Sequence, residues 1–413
     1  MNKMLKNEKK DIFDTLAILL LCIGMLFYVN NRIIPKSLYL FGLSAFLMIP
    51  SVLSNLNSGI NKKAIGFILF FLYLVFCLLF SYSGESFGYV IYYFFGIIYL
   101  LYFSKKRNSI EKLLDYYYKG ALIFTFFTIL SFLSTSIYLK IIDIMYGGTG
   151  VYSIITDLFS WHEYSGIAGQ TGYNAFTISI GIIISFVKMI DNYKSNNKYN
   201  KKLLLCLLVQ IFALFLCSKR AIILYAFTTI VFLIPTCINI KKKSNFSKLI
   251  LVLLIVLFIG SLSINYFEPF GNVFAKNAYY LSKGNLLNGR LPLYGQAIDI
   301  FKNNFFFGIG IKRFCLLNEL NLDVHNVYLQ LLAENGLIGF LIMLFSFLYM
   351  FFKTKSSLKH STNGTVVYIS LGIQLFFLLY ALTGNTLYDV NMLYLYFAVG
   401  SINVYLKGGK YEQ

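Results

Sequence analysis

The chain has 413 residues, 58% of them hydrophobic and 13% charged, with a formal net charge of +19. Such apolar content exceeds what a soluble domain of this length uses, which excludes an ordinary water-soluble fold and makes the bilayer the first partner to consider. The six cysteines, Cys22, Cys77, Cys206, Cys217, Cys237 and Cys315, lack metal-ligand spacing and sit mostly in apolar runs, so structural zinc, a disulfide framework and a cofactor are not expected.

In chain order, apolar runs fall at 11–29, 37–53, 64–82, 87–103, 119–139, 172–190, 202–217, 221–239, 247–264, 326–352, 365–383 and 387–406. A hydrocarbon core about 30 Å thick takes roughly 20 apolar residues per helical crossing. The pattern therefore predicts an all-α polytopic bundle of twelve transmembrane helices forming a single domain over 1–413, with both termini cytoplasmic. No small-residue cleavage site follows the first run, which reads as a retained helix. In this arrangement 25 of the 36 basic residues lie inside, while eleven basic and ten acidic residues lie outside. Membrane orientation thus accounts for the basicity, and no nucleic-acid partner is needed.

Two segments, 140–171 and 265–325, are too long for turns and are placed outside. In the second, Leu293, Tyr294, Ala297, Ile298 and Phe301 recur at helical spacing opposite Gln296, Asp299 and Lys302, after Pro292 and before Gly308. This predicts an amphipathic helix, which either lies on the membrane surface and guides lipid or packs over the bundle.

Candidate chemistry gathers between residues 218 and 340. Ser218-Lys219-Arg220-Ala221 is so short a turn that Arg220 must stand at the outer boundary, at a helix N-terminus. Lys219 and Arg220 either snorkel to the interface or form an anion site, where a guanidinium fork and free helix N–H groups bind phosphate oxygens. Asn288-Gly289-Arg290-Leu291 precedes the amphipathic helix, Gly308-Ile309-Gly310 follows it, and Asp323-Val324-His325-Asn326 closes the loop. In the next span Asn326, Gln330 and Glu334 are four apart and share one face. A carboxylate at the depth of Glu334 is a functional candidate or part of a polar network joining helices. Gly336 and Gly339 are read as allowing close helix contact.

The string Gly289-Arg290, Gly308-Ile309-Gly310 and His325-Asn326-x-Tyr328-Leu329-Gln330-x-Leu332-x-Glu334-x-Gly336-x-x-Gly339 resembles the shared domain of bacterial O-antigen ligases and O-antigen or capsular polysaccharide polymerases. Ser218-Lys219-Arg220-Ala221 is similar to the upstream Ser-Arg-Gly/Ala element of that family, with Lys219 inserted. Tyr294 stands where a Trp is often found, and Phe306-Phe307 replaces a proline-containing approach to Gly308.

The resemblance implies a metal-independent glycosyltransferase in the cytoplasmic membrane, active at its outer face on polyprenyl-diphosphate-linked oligosaccharide as donor and acceptor. It implies a diphosphate site at Arg220, Arg290 and Lys219. His325 would be the catalytic base, and Glu334 would orient it or line the site. Asn326 and Gln330 would line the acceptor side. A protein that regulates chain length would be a further partner. A polymerase joining lipid-linked repeat units is the expected activity. The alternatives are a ligase delivering glycan to lipid A-core and, from another class, a lipid-linked oligosaccharide flippase; clustering of the candidate residues at the outer face favours an enzyme.

Overall fold

A computed structural model describes residues 2–28, 37–56, 59–196, 200–237, 282, 290–318, 321–358 and 364–402. The ninth predicted span, at 247–264, and the loop up to Gly289 lie outside the described residues. The first helices are α1 (Asn2–Leu26), α2 (Ser37–Leu56), α3 (Lys62–Leu78), α4 (Gly84–Phe103) and α5 (Arg107–Leu133). There follow α6 (Thr135–Tyr146), α7 (Gly148–Trp161), α8 (Thr171–Asn196), α9 (Lys201–Leu216) and α10 (Arg220–Cys237). The last are α11 (Leu291–Asn303), α12 (Phe314–Leu317), α13 (Val327–Ser357), α14 (Gly364–Tyr380) and α15 (Val390–Gly400). No strand occurs among the described residues.

Among the described residues six helices, α2, α4, α5, α8, α10 and α13, are long and apolar enough to cross a membrane. The protein is a polytopic helical membrane protein. Every predicted span except 247–264 coincides with one of the described helices. Several of these are short for a crossing: α3 and α14 have 17 residues, α9 has 16 and α15 has 11. At about 1.5 Å per residue, each of these four is shorter than a bilayer core of about 30 Å.

The chain divides into two compact units, one of Met1–Met25, Lys36–Asp115 and Leu287–Gln413, the other of Leu26–Pro35 and Tyr116–Leu286. In the first, α3 and α4 form an antiparallel hairpin, with α3 against α13 and α4 against α2 and α15. Side-chain caps set both starts: Asn61 accepts from the N–H of Lys63, and Ser83 from that of Ser86. Where α3 begins, the buried Lys63 ammonium donates to the carbonyls of Gly400 (3.3 Å) and Ile402 (2.6 Å) and to Thr354 Oγ1 (3.1 Å). A cation is thereby placed at the carboxyl end of α15, where the helix dipole favours it. At the same end, where α4 finishes, Lys106 pairs with Asp14. The opposite end of this unit carries the turn between α3 and α4, the 304–326 stretch and the 381–389 loop.

In the second unit α8 is almost wholly buried, with α9 and α10 packed on it. Its polar side chains bond inward: Asn174 Nδ2 donates to Thr128 Oγ1 (2.8 Å), and Ser185 to Gln210 Oε1 (2.7 Å). The 140–171 segment, read from the sequence as too long for a turn, is largely helical. The left-handed Gly147 separates α6 from α7, and Tyr138, Ile142, Ile154 and Leu158 close a small core with Leu216.

Candidate active site

The central feature of the first unit is a break in α13. Gly336 has φ +60° and ψ −168°, which ends one helical segment and starts another. The backbone groups released there are taken up by the segment that follows α11. Leu337 N–H donates to Phe305 O (2.8 Å) and Ile338 N–H to Phe306 O (3.3 Å), while Ile309 N–H donates to Ala333 O (3.1 Å) and Gly310 N–H to Glu334 O (2.7 Å). Tyr73 Oη adds a bond to Asn335 O (2.6 Å). Non-helical backbone survives at such depth only where protein satisfies it, and here it is satisfied from the 304–310 turn.

A Cβ on Gly336 would stand 2.3 Å from Phe306 O, and one on Gly308 2.4 Å from Glu334 O. Gly336 is therefore a helix break, which corrects the expectation of simple helix contact. Gly339 does serve close contact, against Tyr73 of α3. The predicted amphipathic helix is α11, with Pro292 in its first turn. Leu293 and Ala297 of its apolar face pack with Phe314, Val324 and Ala333, while Ile298 of the same face stays exposed.

Glu334 is fully buried next to the break. Its carboxylate accepts from the backbone N–H of Lys312 (2.9 Å) and Phe314 (3.0 Å) and from Gln330 Nε2 (3.2 Å). It holds the turn that connects Gly310 to α12. Gln330 also donates to Asp323 Oδ1 (2.8 Å) and accepts from Val324 N–H (3.2 Å), which locks the residue before His325. Asn326 caps α13 by accepting from the N–H groups of Tyr328 and Leu329. Between these two clamps His325 adopts φ +56°, a left-handed conformation held by its neighbours.

The His325 imidazole makes no hydrogen bond among the described residues. Burial pushes it below the ordinary histidine range and the nearby Arg290 guanidinium adds to this, while Asp323 acts in the opposite sense. A neutral imidazole at neutral pH follows. Arg290, half-buried, donates from Nη1 to Thr383 O (2.9 Å) and has no carboxylate partner among the described residues. A guanidinium with donors to spare beside a neutral histidine can hold an anion while the ring accepts a proton.

Sequence reasoning missed the polar group around Lys312. Its ammonium pairs with Asp323 (3.2 Å) and lies 4.9 Å from the centre of the Tyr388 ring. Burial would push it down, but Asp323 and Glu334 outweigh that and raise it. Asp323 also accepts from Asn385 Nδ2 (3.4 Å), which ties the 381–389 loop to the turn before α13. Thr386, Tyr388 and Asn391 in that region keep buried polar atoms without hydrogen-bond partners among the described residues. The available signal was Asn385, Asp389 and Asn391 interrupting an apolar run.

Arg220 and Lys219 belong to the second unit. Arg220 opens α10, as its turn predicted, and Ser218 before it has φ +53°. Lys219 donates to Glu163 Oε2 at 2.6 Å, and that carboxylate, 1% exposed, accepts a second bond from Thr171. The Lys219 charge is thus committed to a buried acid. Among the described residues, no cluster of three or more His, Cys, Asp or Glu could hold a metal ion.

Residues 205–344 match the family model for O-antigen ligase. The O-antigen ligase domain contains Arg220, the break at Gly336 and the whole His325 turn, and it spans about a third of the chain. The resemblance read from the motifs and the family match fall on the same segment, which supports an O-antigen ligase or polymerase-like function in general terms. No curated protein matches the chain.

Proposed function

We propose that this protein is a polysaccharide polymerase of the cytoplasmic membrane, joining polyprenyl-diphosphate-linked oligosaccharide repeat units at its outer face. The observation that carries this reading is the pairing, inside the segment that matches the O-antigen ligase model, of an Arg290 guanidinium that has no carboxylate partner among the described residues with a His325 held neutral. An acceptor sugar hydroxyl attacks the anomeric carbon of the donor, the bond to the diphosphate oxygen breaks, and the electron pair leaves with the diphosphate. His325 takes the hydroxyl proton, and Arg290 stabilises charge on the departing oxygens. Glu334 and Gln330 position the His325 turn, and Asn326 caps the helix below it. No metal enters the scheme, since the leaving group is already an activated diphosphate.

The orientation belongs to the same proposal: twelve spans, both termini inside, and the His325 turn outside. Lys63 and the Lys106–Asp14 pair at the other end of the first unit are consistent with it. Cysteine placed at position 157 should react with an impermeant reagent added from outside, and cysteine at 242 should not; labelling at 242 would overturn the orientation.

The decisive assay reconstitutes the protein with a lipid-diphosphate-linked repeat unit and resolves products by size, for wild type and His325→Ala. A ladder of longer lipid-linked glycans, lost in the variant, supports a polymerase. The matching family description favours a second reading, transfer of glycan to lipid A-core. No ladder but a glycosylated lipid A-core product would establish that ligase.

A further inference from the structure

Between the end of α3 and the 304–317 stretch lies a cleft of about 470 Å³. That is within the roughly 300–1,000 Å³ of ligand pockets. Phe76 and Phe80 from the end of α3 form one wall, and Phe307 and Leu317 from the 304–317 stretch form the other. All four rings or side chains remain substantially exposed, Phe80 at 77%, so the cleft opens sideways along an apolar surface. Ser81 and Arg313 supply polar lining. Arg313 Nη1 donates to Ile309 O (3.1 Å), and the guanidinium has no carboxylate partner among the described residues.

Successive cations therefore serve different places: Lys312 turns to Asp323, and Arg313 turns to the cleft. A lone guanidinium is costly in an apolar groove unless an anion or water meets it. Its planar fork suits phosphate oxygens, and the aromatic walls suit a branched hydrocarbon chain. The backbone lining the cleft is the same 307–309 segment that fills the break at Gly336. An occupant there would bear on the turn that Glu334 holds.

We infer that this cleft seats the isoprenoid-diphosphate end of one lipid-linked glycan, the acceptor, with Arg313 on its phosphate and Phe76, Phe80, Phe307 and Leu317 along its chain. The inference rests on the proposed polymerase reading, because joining two lipid-linked chains requires two lipid-diphosphate seats. Arg290 and the His325 turn belong to the donor seat, and the cleft provides the other.

The test uses full-length protein in vesicles with two photoreactive probes lacking sugar: an isoprenyl diphosphate and a phospholipid, each with the reactive group on its hydrocarbon chain. The expected result is isoprenyl crosslinks mapping to 76–81 and 304–317, lowered about tenfold in Arg313→Gln and by less in Arg313→Lys, which keeps the charge but loses the fork. Phospholipid crosslinks at these residues should be weak and unchanged by either variant. Isoprenyl crosslinks only elsewhere in the chain would overturn the cleft and leave the polymerase reading standing. No specific isoprenyl crosslink anywhere would overturn both. Equal labelling by the two probes, insensitive to Arg313, would make the cleft a site of ordinary bilayer lipid and overturn the inference. A Phe80→Ala variant, checked for unchanged thermal unfolding, gives a second arm: it should shift isoprenyl crosslinks out of the cleft while Arg313 remains.

Discussion

Two basic turns, one in each unit, met different fates. At 218–220 in the second unit, Lys219 is bound to a buried carboxylate, Glu163. At 290–325 in the first unit, among the described residues Arg290 donates only to a backbone carbonyl and His325 makes no hydrogen bond. A cation already neutralised by a buried acid maintains the fold, because removing it strands the acid's charge. A cation left with donors beside a neutral base retains capacity for a ligand. Basic residues that look alike in sequence are thus separated by whether the fold supplies them with a carboxylate.

The largest effect should come from the backbone on which the first turn depends. Gly336→Ala places a Cβ against Phe306 O in a left-handed conformation, and should cost about 3–5 kcal/mol in combined strain and overpacking. Membrane abundance and thermal unfolding in detergent check it; a stable, active variant would mean that α13 is not broken at that residue. Next, Lys219→Met should destabilise by about 3–5 kcal/mol by leaving Glu163 uncompensated, with much of the loss recovered when Glu163→Gln is added. Loss of polymer from Lys219→Met at unchanged stability would instead return Lys219 to the diphosphate site and erase the contrast.

Arg290→Lys keeps the charge but loses the fork, and should lower turnover about 10²-fold without affecting abundance. Unchanged polymer would remove Arg290 from the site. The smallest effect is on pH dependence. His325 is depressed below the usual histidine value, so activity should fall only as pH drops below that lowered value and the ring protonates. Removing the neighbouring cation stabilises the protonated ring, so Arg290→Gln should move the acid limb of its residual activity to higher pH. An unmoved limb would separate the two residues.

How much was legible can be judged from particular residues. The helix at 291–303, announced by Pro292 and a period of 3.6, and Arg220 as the first residue of α10 follow local rules. So does the cap at Asn326, although the sequence suggested substrate lining for it rather than a backbone role. The break at Gly336 was hidden because a glycine in an apolar run looks the same whether it eases contact or interrupts the helix. Only the arrival of Phe305 to Gly310, from about thirty residues earlier, distinguishes them. Lys312 and Asn385 escaped notice for the same reason, each acquiring meaning through Asp323, eleven residues from the first and 62 from the second.

By itself the sequence determined a multi-pass helical membrane protein, the positions of most helices and the family of its 205–344 segment. Hydropathy, caps and motif spacing are local properties that need no folded context. Tertiary structure alone decided which charges are paired and which helix is broken. It also decided that Glu334 spends its carboxylate on the amides of Lys312 and Phe314. Buried charges and freed backbone groups must find partners, and those partners come from whichever segments folding brings beside them.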